Sequence, residues 1–231
     1  MGPGGILQSA GQALALVGAA PWQLLAGVLV FFLVAEGLML VPRVGFLLKF
    51  CAAALLAPQI LAMFRVASLG ERPSLRILAD FIYLPPSSML VLCGCALLPF
   101  FLGLSYFAAT GRADGLRFFF GNVLKQKAPQ ARHFMVFKAI MTTAGLPFTY
   151  VAPAMVLKGY IGGNALEQGL LAGLLYWPSL LALLALALGF ELLVAILPRK
   201  AMALLAVPLV AGFLLFLFAF TFALSVRAFG V

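Results

Sequence analysis

Six apolar runs, each close to the length that crosses a hydrocarbon core, leave this chain few folds to choose from. They fall at approximately 21–41, 44–64, 86–109, 139–157, 177–197 and 201–224, and a helix needs about 20 residues to span about 30 Å of lipid. In that solvent each backbone N–H and C=O must find its partner within the segment, so the runs are predicted as α-helices. The fold class is therefore read as an all-α integral membrane protein with about six transmembrane helices. Only 9% of the residues are charged, against 65% apolar, whereas soluble domains carry about 25% charged residues. No polar stretch is long enough for a separate soluble core, and a single membrane domain is expected over 1–231.

Two pairs of runs are joined by very short turns. VPRV connects the first and second, and PRK connects the fifth and sixth. Each pair is predicted to be an antiparallel hairpin, with proline ending a helix that it cannot continue. Ahead of the first span, ILQSAGQALALVGAA carries Gln8, Ser9 and Gln12, and ahead of the fifth, NALEQGLLAGLLYW carries Asn164, Glu167 and Gln168. Both are expected to be amphipathic helices lying in the membrane interface. Trp22 and Trp177 stand at the entrances of spans one and five, the headgroup level that Trp prefers, and are the candidate interfacial anchors.

These features recur in the same order. Gly4-Gly5, a weakly polar helix, Pro21-Trp22, Glu36 and Val41-Pro42-Arg43 are followed later by Gly162-Gly163, a weakly polar helix, Trp177-Pro178, Glu191 and Leu197-Pro198-Arg199. The second glycine precedes the turn proline by 37 residues in one copy and 35 in the other. An internal hairpin repeat is expected on this ground. Repeat 1 covers about 4–64, the middle spans and a basic loop cover 65–157, and repeat 2 covers about 162–227.

Charges inside the spans are the candidate functional groups. Glu36 lies six residues before Pro42 and Lys49 seven after it, which puts both about 9 to 10 Å from the turn at 1.5 Å per residue. An ion pair there would offset the several kcal/mol that an unpaired charge costs in lipid. Glu191 lies at the matching depth before Pro198, but its mirror position is the apolar Leu205. Three outcomes stay open: Glu191 reaches towards Arg199 or Lys200, pairs across the bundle with Lys49, or stays protonated because burial disfavours its charge. An intramembrane carboxyl without a local partner makes Glu36, Lys49 and Glu191 a candidate proton or cation relay.

The segment 110–138 holds Arg112, Arg117, Lys125, Lys127, Arg132 and Lys138 against Asp114 alone. It is the candidate docking surface for anionic lipid headgroups or for an acidic protein partner in a membrane complex. Nucleic acid is not an expected partner despite the net charge of +9, because the aromatics lie within the apolar runs rather than on a soluble basic face. Arg76 and Asp80, at i, i+4, are expected to pair on a connecting helix that starts near Pro73-Ser74. With one His, two Asp and four Glu in the whole chain, and no metal-ligand or nucleophile motif, no enzymatic site, metal or cofactor is expected. Cys51, Cys93 and Cys95 read as inert apolar-segment thiols, and the first span, with no basic residue ahead of it, as uncleaved.

Orientation divides the sequence rules. With six crossings, nine Lys and Arg lie on the side of the two tight turns and five on the side of the chain ends, so the positive-inside rule puts the N-terminus outside. Alternatively, 84–109, with Pro85, Pro86 and Pro99, re-enters and returns to its own face.

PWQLLAGVLVFFL, LLAPQILAMFRVASLGERPSLRILADF and YVAPAMVLKGYIGGNALEQGLLAGLLYWPSLLALLAL resemble the bacterial six-helix YciC-like membrane families and the membrane domain fused to some glycerophosphodiester phosphodiesterases. The resemblance covers most of the chain apart from 110–138. It implies a six-helix fold in a bacterial inner membrane with both termini in the cytoplasm, and it brings no catalytic residue. The function expected is that of a non-enzymatic scaffold, assembly factor or subunit of an envelope complex. The alternative is a small transporter or lipid-handling permease.

Overall fold

A computed structural model describes residues 3–121, 129–196 and 199–231 of the chain. Among these residues the structure is helical throughout: α1 Pro3–Ala19, α2 Pro21–Met39, α3 Gly45–Ser68, α4 Pro86–Ala109, α5 Ala113–Phe120, α6 Ala131–Gly145, α7 Val151–Lys158, α8 Gly162–Leu175, α9 Trp177–Ile196 and α10 Arg199–Phe229. Two 3-10 segments, Leu75–Tyr83 and Leu146–Phe148, interrupt them. Six stretches are long and apolar enough to cross a membrane, and the chain is a multi-pass helical membrane protein.

Contacts at the helix ends give the order in space. At one end Arg227 donates to the carbonyl of Gly5, Arg65 donates to that of Val156, and the N–H of Gly162 donates to Ser88 Oγ at 3.1 Å. At the other the N–H of Arg43 donates to the carbonyl of Gly121 at 3.3 Å, and Tyr106 meets His133. The first end gathers both chain termini and is the terminal face; the second is the turn face. α4 runs from one to the other as a continuous helix, so 84–109 crosses and does not re-enter. Pro86 sits in its first turn, where the missing N–H costs nothing, and Pro99 lies buried within it.

α3 is the central element, packed against α2, α4, α7 and α10. The main core joins Leu24 and Val28 of α2, Ile60, Met63 and Phe64 of α3, and Phe222 and Leu224 of α10, all nearly or fully buried. Gly27 permits the close approach of α2, since a Cβ there would lie 2.7 Å from Met63 Sδ. α1 lies along α10 on a stripe of Ser9, Ala13 and neighbouring Ile6, Ala10 and Val17, leaving Gln8 and Gln12 outside. Ser9, grouped with those glutamines by composition, is buried and satisfies its hydroxyl on the carbonyl of Gly5 at 3.1 Å. α8 buries a row of small residues, Gly162, Ala165, Gly169, Ala172 and Gly173, and Gly169 seats its backbone against Val151 of α7.

Three local expectations change. The fourth span begins at Ala131 rather than at 139 and runs to Lys158, interrupted at Leu146–Phe148 where Pro147 removes a helical donor. Arg132, His133 and Lys138 therefore belong to a helix and not to a loop. α10 continues to Phe229, past the expected end at 224. The connecting element is a 3-10 helix, capped by Ser74 Oγ accepting from the N–H of Arg76. At three residues per turn, i and i+4 no longer share a face, and Arg76 forms no ion pair with Asp80.

Candidate functional site: two ion pairs and a basic face

The tight α2–α3 turn sets the first pair. Arg43 enters the left-handed region at φ 69° and Gly45 starts α3 against the backbone of Met39, where a Cβ has no room. The two helices then run side by side, and Lys49 Nζ meets Glu36 Oε1 at 2.5 Å. Met39 Sδ lies 4.0 Å from the same ammonium.

Glu191 pairs with Lys138 of α6, Nζ to Oε2 at 2.6 Å. Lys49, one of its expected partners, is held by Glu36, and the side chains of Arg199 and Lys200 lie outside the described residues. Among the described residues α6 supplies the cation, because it packs beside α9. Phe134, one turn before Lys138, adds a ring face whose centroid is 5.2 Å from Nζ. Lys138, half-buried, is thus engaged by Glu191 and by the Phe134 ring.

Of the remaining basic residues, Arg112, Arg117 and Arg132 stand on the turn face. Arg117 and Arg132 are exposed and Arg112 is half-buried, while Lys125 and Lys127 fall outside the described residues. What positions them is aromatic. Phe119 of α5 is buried at the centre of a cluster with Phe46 of α3, Phe100 and Phe107 of α4, and Phe137 of α6. Its ring centroid lies 4.7 Å from that of Phe46 and 4.5 Å from that of Phe137. Gly115 lets α5 press onto the Phe107 ring, where any side chain would collide. The short amphipathic helix is therefore fixed by its phenylalanines, with Arg117 directed outward.

Two polar links escape a reading by sequence. Tyr106 Oη and His133 Nδ1 lie 2.6 Å apart, and Arg132 Nε donates to His133 Nε2 at 3.2 Å. With Nε2 accepting, Nδ1 carries the proton and donates to Tyr106. Tyr150, fully buried, shares a hydrogen bond with Ser179 Oγ at 2.5 Å and ties the break in the fourth span to the start of α9. The i, i+3, i+7 spacing of Phe134, Phe137 and Met141 was a usable sign that helix begins before 139; nothing in sequence pairs Tyr106 with His133. Trp22 and Trp177 both expose their rings, at 78% and 59%, as outward-facing residues at helix starts. Among the described residues no group of three or more His, Cys, Asp or Glu converges. No protein-family model, curated protein or solved structure matches the chain, and the functional reading rests on this geometry.

Proposed function

We propose that the chain is a non-enzymatic multispanning protein of a bacterial inner membrane, acting as a scaffold, assembly factor or subunit of an envelope complex. The observation that carries this reading is the closure of Glu191 by Lys138. A carboxylate neutralised by a fixed ammonium is a structural pair, and a relay needs a group free to change its charge or partner. The exposed arginines of the turn face, held by the phenylalanine cluster, are the surface through which an acidic partner or anionic headgroups are contacted. α1 and α8 act as interfacial helices and Trp22 and Trp177 as anchors. The ordered recurrence of glycines, tryptophan, carboxylate and turn proline supports a duplicated hairpin, and the likeness to YciC-like families belongs to the same proposal.

Purification in mild detergent tests it. A stoichiometric partner that is lost from the variant Arg117→Glu/Arg132→Glu is expected; a homogeneous isolated protein in both preparations counts against the scaffold.

The broken fourth span favours the second reading. Discontinuous helices at Pro147 are compatible with a transport site, and that reading requires Glu191 to exchange its partner. Glu191→Gln then abolishes transport-dependent growth, whereas the scaffold reading expects growth to be unchanged.

A further inference from the structure

Among the described residues two cavities of nearly equal size can be compared, one lined by a cation and one without. The first, about 570 Å³, lies between α2, α3 and the Leu75–Tyr83 helix, walled by residues such as Val30, Leu38, Leu55, Leu78 and Phe81 with no charged side chain. The second, about 560 Å³, lies among α1, α3, α7 and α10 at the terminal face. Its walls include Leu16, Leu157, Phe222 and Val226, and its mouth carries Gln12, Arg65 and Ser68. Both volumes fall within the range of about 300–1,000 Å³ that holds small ligands.

Arg65 is fixed by a helix end. The carbonyl of Val156 in the last turn of α7 has no helical donor, because the N–H of Tyr160 turns back to Ala154. Arg65 Nη1 donates to it instead, a favourable place for a cation at a helix C-terminus. A guanidinium has five N–H donors, so this bond orients the group and leaves the rest of the fork available. Arg65 is exposed, and no carboxylate lies within 4.0 Å of it. Gln12, also exposed, adds an amide at the same mouth.

An oriented guanidinium at the rim of an apolar slot matches a ligand with an anionic head and a hydrocarbon tail. Free phosphate would leave the walls unused, and a neutral hydrocarbon would leave the cation unused. Arg65 lies three residues from the end of its span, at the level where headgroups stand. We infer that this cavity binds one anionic phospholipid of the adjoining leaflet, its phosphate on Arg65 and Gln12 and an acyl chain along Leu16, Leu157, Phe222 and Val226. The planar fork suits a phosphate bidentately. The inference does not depend on the scaffold reading, which rests on the opposite face.

Native mass spectrometry of the full chain in detergent, titrated with phosphatidylglycerol and with phosphatidylcholine of the same acyl chains, tests it. A single phosphatidylglycerol adduct is expected at roughly tenfold lower lipid concentration than the phosphatidylcholine adduct. Arg65→Gln removes that preference, while Arg72→Gln and Arg76→Gln on the same face keep it. Ala15→Trp, which fills the mouth from the exposed side of α1, reduces both adducts. Should Arg65→Gln not fold for want of the bond to Val156, Arg65→Lys keeps a donor and the charge but not the fork, and loses several-fold of the preference. Equal adducts with the two lipids, an unchanged preference in the Arg65 variants, an equal loss in Arg72→Gln and Arg76→Gln, or unchanged adducts in Ala15→Trp would each overturn the proposal.

Discussion

Glu36 of α2 and Glu191 of α9 stand six and seven residues before a turn proline, and the two carboxylates are neutralised in different ways. Glu36 is answered by Lys49, 13 residues away within the hairpin. Glu191 is answered by Lys138, 53 residues away on α6. The first hairpin is closed locally, with α2 lying along α3 and Gly45 fitted to the backbone of Met39. α9 sits at the edge of the bundle, exposing Leu181, Leu188, Leu192 and Ile196, and touches α10 through the stacked rings of Phe190 and Phe213, 3.8 Å between centroids. A similar turn in sequence thus yields a self-contained unit in one place and, in the other, a helix whose charge ties it to a third element. The second arrangement makes α9 depend on α6.

The largest difference between the hairpins is expected from bulk at their glycines. Gly45→Leu forces a side chain into the Met39 carbonyl, and the obstacle is backbone, which cannot give way. We predict loss of folded protein in detergent extracts, equivalent to more than about 3 kcal/mol, in the range of overpacking that structure cannot relieve. Gly189→Leu meets open space on α9 and shifts the melting temperature little, about the 0.5 kcal/mol typical of surface changes. Similar losses from both variants would show that α9 is covered as tightly as α3.

Removal of one lysine from each pair is expected to have the next largest effect, and to differ in where it is felt. Lys138→Ala and Lys49→Ala each strand a carboxylate, a change that costs about 3–5 kcal/mol when the pair is fully buried. Here the four side chains are 24–34% exposed, so about 2 kcal/mol is expected. Hydrogen exchange separates the two: Lys138→Ala speeds exchange in α9 and leaves α2 protected, while Lys49→Ala loosens the ends of α2 and α3 about their turn. A double-mutant cycle of Lys138→Gln with Glu191→Gln should return a coupling of about 1–2 kcal/mol. Coupling near zero would mean that α9 is held by its apolar contacts alone.

Much of the fold was legible because lipid leaves little choice: uninterrupted apolar length is enough to specify a spanning helix. What composition hid were segments where the helix is polar or the pairing is tertiary. Arg132, His133 and Lys138 made 131–138 look like loop, although Phe134, Phe137 and Met141 already repeat at helical spacing. Lys49 was legible opposite Glu36 because both belong to one tight hairpin, where distance from a turn fixes height. Lys138 was not, because height alone does not say which helix stands next to α9. Arg76 and Asp80 went astray for a different reason: their spacing implies a pair only at 3.6 residues per turn, and the segment winds more tightly. The role of Arg65 is tertiary in the same way: the cap of α7 frees the carbonyl of Val156, and only the packing of α3 beside α7 brings Arg65 to it.

The smallest expected effect concerns the turn residues themselves. Arg43 and Arg199 both follow a proline, Pro42 and Pro198, yet Arg43 takes φ 69° while Arg199 opens α10 as its first helical residue. A left-handed backbone costs a side-chain-bearing residue about 1–2 kcal/mol, which glycine escapes. Arg43→Gly also makes the unfolded chain more flexible, which offsets part of the gain by about 0.4–1 kcal/mol. A net stabilisation of about 0.5 kcal/mol is expected, raising the melting temperature by about 1–2 °C for a chain of this size. At Arg199 glycine relieves no left-handed backbone and replaces a helix former, so Arg199→Gly should lower the melting temperature by a comparable amount. A gain at both positions would mean that the two turns share one backbone conformation, and the contrast between a locally closed and a tertiary-closed hairpin would then have to rest on the ion pairs alone.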